Sequence, residues 1–137
     1  MQHPGIAGLG ARVHLFVQPG ARRAFLALFR DVLGCDVVER DFGLAHPILL
    51  VRFPDGSAFS VEFTDLAPAD LPDHALDDEH AFRGAWIEFR TTDVEGVHAA
   101  LRHAGTPEFR HPGSSHVYFQ APGGQVFRVL DVAYAGP

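Results

Sequence analysis

Residues 121–131, APGGQVFRVLD, carry the clearest structural signal in the sequence. A Pro-Gly-Gly turn leads into a strand of apolar and β-branched residues, a pattern typical of a β-hairpin. An earlier stretch, FPDGSAFSVEF at residues 53–63, repeats this order of proline, turn glycine, aromatic and β-branched residues, so that Phe59 aligns with Phe127. This internal repeat predicts two copies of one structural unit.

The residues around both hairpins predict the rest of the unit. Before the first hairpin, periodic apolar residues predict a helix over 21–34, preceded by a strand at 11–18. Before the second, Asp93 is placed to cap a helix over 94–105, preceded by a strand at 84–91. The other predicted strands are 36–41, 47–53, 58–64, 108–111, 116–120 and 126–132. The sequence therefore predicts two β-α-β-β-β modules and an α+β fold.

A chain of 137 residues suits one compact domain. Its middle holds an acidic, proline-bearing segment, TDLAPADLPDHALDDEH at residues 64–80, whose composition is typical of a solvated linker. We predict module one at about 11–65, the acidic linker at about 66–80 and module two at about 81–132.

Composition and charge exclude several classes of partner. A net charge of −6 with eleven basic residues in no extended patch argues against nucleic-acid binding. No apolar run is long enough to cross a membrane, and the first residues lack a signal-peptide pattern, so we expect a cytoplasmic protein. The single cysteine, Cys35, excludes an internal disulfide and is expected to be a small buried filler. Small molecules are the partners that remain.

Strand alternation predicts which side chains face a ligand. Each helix should cover one face of its small sheet, which leaves the other face free to enclose a molecule. In the last strand Phe127 and Val129 should meet the helices, so Arg128 turns to the free face. The same alternation directs nine charged, polar and aromatic residues to this hollow: Arg12, His14, Glu62, Trp86, Glu88, Arg90, His116, Tyr118 and Arg128.

Three motifs in order resemble a known superfamily. FRDVLG at 29–34, WIEFRTTDVEGVHAALRHAG at 86–105 and the closing stretch at 121–131 together resemble the glyoxalase, bleomycin-resistance and extradiol-dioxygenase proteins, also called vicinal oxygen chelate proteins. The resemblance covers nearly the whole chain. It implies paired β-α-β-β-β modules that form a U-shaped, cavity-enclosing mixed sheet with helices on the outer face, and it implies a homodimer.

In metal-dependent members of that superfamily, the resemblance implies one ligand each from the first, fourth, fifth and eighth strands. His14 stands at the first position, or Arg12 if the following loop is longer. Glu62 stands at the fourth-strand position, although the internal repeat would equate Ser60 with Arg128. His14 and Glu62 are both residue types that bind divalent cations.

The other two positions carry residues that do not bind metals. Trp86 stands in the fifth strand and Arg128 in the eighth, and a guanidinium has no lone pair to offer a cation. The resemblance therefore favours a metal-free site with no cofactor. If a divalent metal is bound, its ligands would be His14, Glu62 and, one pleat along from Trp86, Glu88. His98 and His103 are expected on the solvent side of the second helix.

Two classes of function are compatible with these residues. The first is a bleomycin-resistance-like protein that binds or sequesters an aromatic or anionic metabolite or drug, and the sequence favours it. The second is a glyoxalase-like lyase or isomerase, or a dioxygenase, either metal-dependent through His14 and Glu62 or metal-free with one of them as general base. Catalytic residues stay unassigned. Glu62 or Glu88 is expected to pair with Arg12 or Arg128, and Arg128 is expected to hold a ligand, and both roles can be filled at once.

Overall fold

Two β-α-β-β-β modules make up residues 4–68, 85–110 and 115–135, the part of the chain that this computed structural model describes. The elements of the first module are β1 (His14–Val17), α1 (Arg22–Leu26), β2 (Asp36–Arg40), β3 (Ile48–Arg52) and β4 (Ala58–Phe63). A 3-10 turn at Pro19–Ala21 precedes α1, and a π-helical stretch over Ala27–Val32 continues it. The elements of the second are β5 (Trp86–Thr91), α2 (Val94–His103), β6 (Glu108–Phe109), β7 (Tyr118–Gln120) and β8 (Val126–Asp131). The predicted linker beyond residue 68 lies outside the described residues.

The two sheets share one topology. Their strand orders are β1-β4-β3-β2 and β5-β8-β7-β6. In each sheet the first strand pairs in parallel with the last, and the remaining neighbours are antiparallel. The predicted α+β fold of two repeated modules is therefore confirmed.

Local sequence signals set the ends of α2. The side chain of Asp93 accepts a hydrogen bond of 2.9 Å from the backbone N–H of Gly96, so it caps the helix as predicted. After the helix, Gly105 adopts a φ of +73°, a left-handed conformation that glycine reaches without a steric penalty.

One apolar core joins the two modules. The rings of Phe59 in β4 and Phe127 in β8 lie 5.7 Å apart, and Phe29 of the first helix lies 5.3 Å from Phe127. These residues belong to a single buried cluster that draws on both sheets. Because the helix-covered faces of both sheets meet in this cluster, the alternate faces of the two sheets lie on opposite sides of it.

Several local details differ from the sequence prediction. β1 begins at His14, so Arg12 precedes the strand. His98 is only 4% exposed, and the expectation that it faces solvent is wrong. It stands one turn before the buried Leu101 on the same face of α2, where helical geometry outweighs the polarity of its imidazole.

Among the described residues, no helix is long and apolar enough to span a bilayer.

Candidate functional site

The free face of the second sheet carries a row of four side chains, one from each strand. The register pairs Glu88 of β5 with Arg128 of β8, and Arg128 with Tyr118 of β7. Tyr118 in turn pairs with Phe109 of β6. Residues paired in register share a face of the sheet, so these four side chains lie next to one another.

Arg128 is the best-anchored member of this row. Its Nε and Nη2 both donate to Oε2 of Glu88, at 3.2 and 2.6 Å. The guanidinium carbon lies 4.1 Å from the ring centroid of Trp86. Burial lowers the pKa of Arg128, but its hydrogen bonds with Glu88 and Tyr118 outweigh this and raise the pKa above its ordinary value. Arg128 is therefore a permanent cation, and its partner in the chain is Glu88 rather than Glu62.

Aromatic rings surround this ion pair. Trp86 approaches Tyr118 edge-on at 6.1 Å, and Phe109 stacks on Tyr118 at 5.7 Å with the rings 21° apart. Tyr118 is buried, whereas Trp86 is 44% exposed. The face thus has a packed base and one open indole surface. Sequence reasoning missed Phe109, and the signal that would have found it is its antiparallel register with Tyr118.

The free face of the first sheet carries a second, smaller cluster. Nε2 of His14 lies 3.1 Å from Oε1 of Glu62, and Nδ1 lies 2.6 Å from Oγ of Ser60. A neutral imidazole satisfies both contacts by donating to Glu62 and accepting from Ser60. Phe16 packs edge-on against His14 at 5.0 Å and is 57% exposed. Arg12 is exposed and lies before the strand.

The structure brings the candidate residues together in two groups rather than one. His14 and Glu62 alternate with core residues of the first sheet, and Glu88 and Arg128 with core residues of the second, so the shared core separates the groups. A common hollow within one chain was expected, but the order of elements does not specify how two modules pack. Within residues 4–68, 85–110 and 115–135, no group of three or more His, Cys, Asp or Glu side chains is arranged to hold a metal ion.

The donor chemistry of the four implied ligand positions does not fit a divalent cation. His14 and Glu62 offer lone pairs, but Trp86 and Arg128 offer none. Arg128 also places a permanent positive charge at its position. Glu88 is a further carboxylate beside Arg128, and its Oε2 already accepts from that arginine.

A groove of about 1030 Å³ borders the free face of the second sheet, between the β3–β4 turn and β5. Its lining includes Glu88, Arg90 and Cys35, and Nη2 of Arg90 lies 4.0 Å from Oδ2 of Asp55 across it. Cys35 is partly buried and packs against the apolar core, and this burial raises the pKa of its thiol.

Comparison with known proteins identifies the fold and no close relative. No protein-family profile and no curated protein matches the sequence. A glyoxalase/dioxygenase from Nostoc punctiforme superposes with a TM-score of 0.66 at 17% identity, covering 96% of both chains. TnmS3, an antibiotic binding protein from Streptomyces sp. CB03234, superposes with a TM-score of 0.58 at 18% identity, covering 94% of this chain and 98% of that one.

A mutant of the fosfomycin resistance protein FosX from Listeria monocytogenes, complexed with Mn(II) and 1S,2S-dihydroxypropylphosphonic acid, has a TM-score of 0.59 at 13% identity, covering 96% of this chain and 94% of that one. These neighbours include binding and resistance proteins as well as a metal-containing complex, so they agree on architecture and not on chemistry. The chain therefore has the vicinal oxygen chelate fold of the glyoxalase, bleomycin-resistance and fosfomycin-resistance proteins.

Proposed function

We propose that the protein binds a flat aromatic small molecule against Trp86 on the free face of the second sheet, without a metal ion at that face. The observation that carries this proposal is the Arg128–Trp86 stack. Arg128 covers one surface of the indole at 4.1 Å and is itself fixed by Glu88, while Trp86 stays 44% exposed. A rigid, partly open aromatic surface above a packed base suits the stacking of a planar ligand. The fold shared with an antibiotic binding protein supports the same class of function.

A homodimer is part of this proposal. Phe16 and Trp86 are large aromatic residues, 57% and 44% exposed, on the two free faces that point away from each other. In a pair of chains, the first sheet of one copy facing the second sheet of the other would cover both rings and enclose the ligand. Light scattering coupled to size-exclusion chromatography tests this directly: a monomer at micromolar concentration contradicts it.

The second candidate function is a metal-dependent lyase, isomerase or dioxygenase. The observation that favours it is the 3.1 Å contact between His14 and Glu62, two ligand types already adjacent on one sheet. The manganese complex of FosX shares the fold and supports the same class. Among the residues that the structure describes, this set has no third ligand within one chain, so the candidate takes Glu88 from a second copy. A metal-free variant would use Glu62 or His14 as general base.

Binding of phenazine, a flat uncharged molecule, tests the first proposal by isothermal titration calorimetry. We expect Trp86→Ala to weaken binding by about tenfold or more, because stacking on an aromatic ring is worth ~1 kcal/mol beyond the area it buries. Phe42→Ala is the matched control, since Phe42 is an exposed aromatic residue (67%) in the loop after β2. Equal losses in both variants would contradict a site at Trp86.

Elemental analysis of tag-free protein separates the two candidates. The metal-free proposal expects transition metal well below one equivalent per chain. One equivalent of zinc, nickel, manganese or iron, lost in His14→Ala, would establish the metal-dependent alternative instead.

A further inference from the structure

Glu88 is the more exposed partner of the ion pair with Arg128. Both donor nitrogens of Arg128 converge on Oε2 of Glu88, so Oε1 takes no part in these contacts. The side chain of Glu88 is 42% exposed, whereas that of Arg128 is 13% exposed. The more accessible charge on the strand that carries Trp86 is therefore the carboxylate of Glu88, while the guanidinium is largely covered.

We propose that Glu88 determines the charge of the ligand: it excludes anions from Arg128 and selects an uncharged or cationic flat molecule. This inference rests on the proposed function, namely that Trp86 forms a ligand-binding surface. An arginine on a ligand-facing strand ordinarily recognises a carboxylate or phosphate. Here a carboxylate of the protein itself already accepts from two nitrogens of that arginine.

An anionic ligand has two routes, and both are unfavourable. It can displace Glu88 from Arg128, which breaks two charge-assisted hydrogen bonds for two new ones and leaves Glu88 beside a like charge. It can instead bind next to the intact pair, where the exposed carboxylate repels it. The net charge of −6 on the chain adds repulsion at long range.

An uncharged ligand neither displaces Glu88 nor is repelled by it, and a cationic ligand is attracted to Glu88. The exposed surface of Trp86 supplies the stacking surface for both, and a cation over an indole is attracted by the ring as well. The Glu88–Arg128 pair is neutral as a whole, so an uncharged ring system also avoids burying an isolated charge.

Three probes with one ring system and different charges test this inference by isothermal titration calorimetry at pH 7.5. They are naphthalene-2-carboxylate, naphthalene-2-carboxamide and 2-naphthylmethylammonium. We expect the protein to bind the amide and the ammonium about tenfold more tightly than the carboxylate. Glu88→Gln should reverse this order, because the guanidinium of Arg128 can then donate to the ligand carboxylate. Glu95→Gln, which makes the same change of charge at an exposed position in the first turn of α2, should leave the order unchanged.

The double variant Glu88→Gln/Arg128→Gln removes both charges and should bind the three probes about equally. It keeps the inference testable if Glu88→Gln alone fails to fold. Preferred binding of the carboxylate by the unmodified protein, or unchanged selectivity in both variants, overturns the inference while binding itself stands. If none of the probes binds in a Trp86-dependent way, the proposed function fails and the inference fails with it.

Discussion

Phe127 and Arg128 are neighbours on β8 that point to opposite faces. Truncating each one in turn therefore distinguishes the contribution of the core to stability from that of the free face. We expect Phe127→Ala to lower the free energy of unfolding by about 3–5 kcal/mol. The Phe127 ring is fully buried, stacks on Phe119 at 5.3 Å and packs against Phe29 at the same distance. We expect Arg128→Ala to lower it by only about 1–2 kcal/mol.

The smaller value follows from the exposure of Glu88. Removing one partner from a fully buried ion pair costs about 3–5 kcal/mol, because the remaining charge is stranded. Glu88 is 42% exposed, so water can solvate its carboxylate once Arg128 is gone. What is lost is a partly exposed ion pair, worth up to about 1 kcal/mol, and the contact with Trp86, worth about 0.5–1 kcal/mol.

Urea unfolding followed by far-ultraviolet circular dichroism is the suitable assay, because Trp86 fluorescence itself depends on Arg128. Arg52→Ala is the matched control, since Arg52 forms a cross-strand pair with Asp36 at 2.5 Å in the first sheet. Those side chains are 46% and 61% exposed, so we expect a loss of about 0–1 kcal/mol. A loss of about 3 kcal/mol or more for Arg128→Ala, with phenazine binding unchanged, would contradict this expectation and make the arginine a structural residue.

Three further predictions concern single positions. The Cys35 thiol, with its pKa raised by burial, should react with a disulfide reagent more slowly in the native protein than in urea at the same pH, and equal rates would contradict its burial. Asp93→Ala should lose about 1 kcal/mol of stability in urea unfolding, while Asp93→Asn should keep most of it because asparagine also caps helices. Gly123→Ala should destabilise more than Gly56→Ala: both glycines have positive φ, but only at Gly123 would a Cβ lie 2.5 Å from Val17. Equal melting temperatures for the two variants would mean that the turn at Gly123 can shift away from Val17 without loss of stability.

The faces of the strands could be predicted from the sequence because alternation is a local property. A strand places successive side chains on opposite sides whatever surrounds it, so Trp86 and Glu88 could be assigned to one face without knowledge of their neighbours. The helix cap at Asp93 followed from local geometry in the same way. The similarity of the two hairpin sequences revealed the internal repeat, and the repeat predicted two modules of the same topology.

The partner of Arg128 could not be predicted, because it depends on which strands become neighbours and how the modules pack. Glu62 and Glu88 both alternate toward a free face, but only Glu88 lies on a strand paired with β8. His98 shows the same limit. The periodicity of α2 accounts for its burial, but its neighbour Glu108, with Nδ1 and Oε2 3.7 Å apart, lies on β6, and no local pattern connects the two positions.

The packing of the modules also bears on metal binding. Because the helix-covered faces meet in one core, His14 and Glu62 can approach Glu88 only if a second copy supplies it. Even then Glu88 would have to give up its two hydrogen bonds from Arg128 before it could bind a cation through Oε2, and the cation would lie beside a guanidinium of like charge. Glu88 therefore opposes anionic ligands as long as it is paired, and Arg128 opposes cationic metals as long as it is present. These two effects support the proposed metal-free site at Trp86, whose ligand would carry neither a negative charge nor a metal ion.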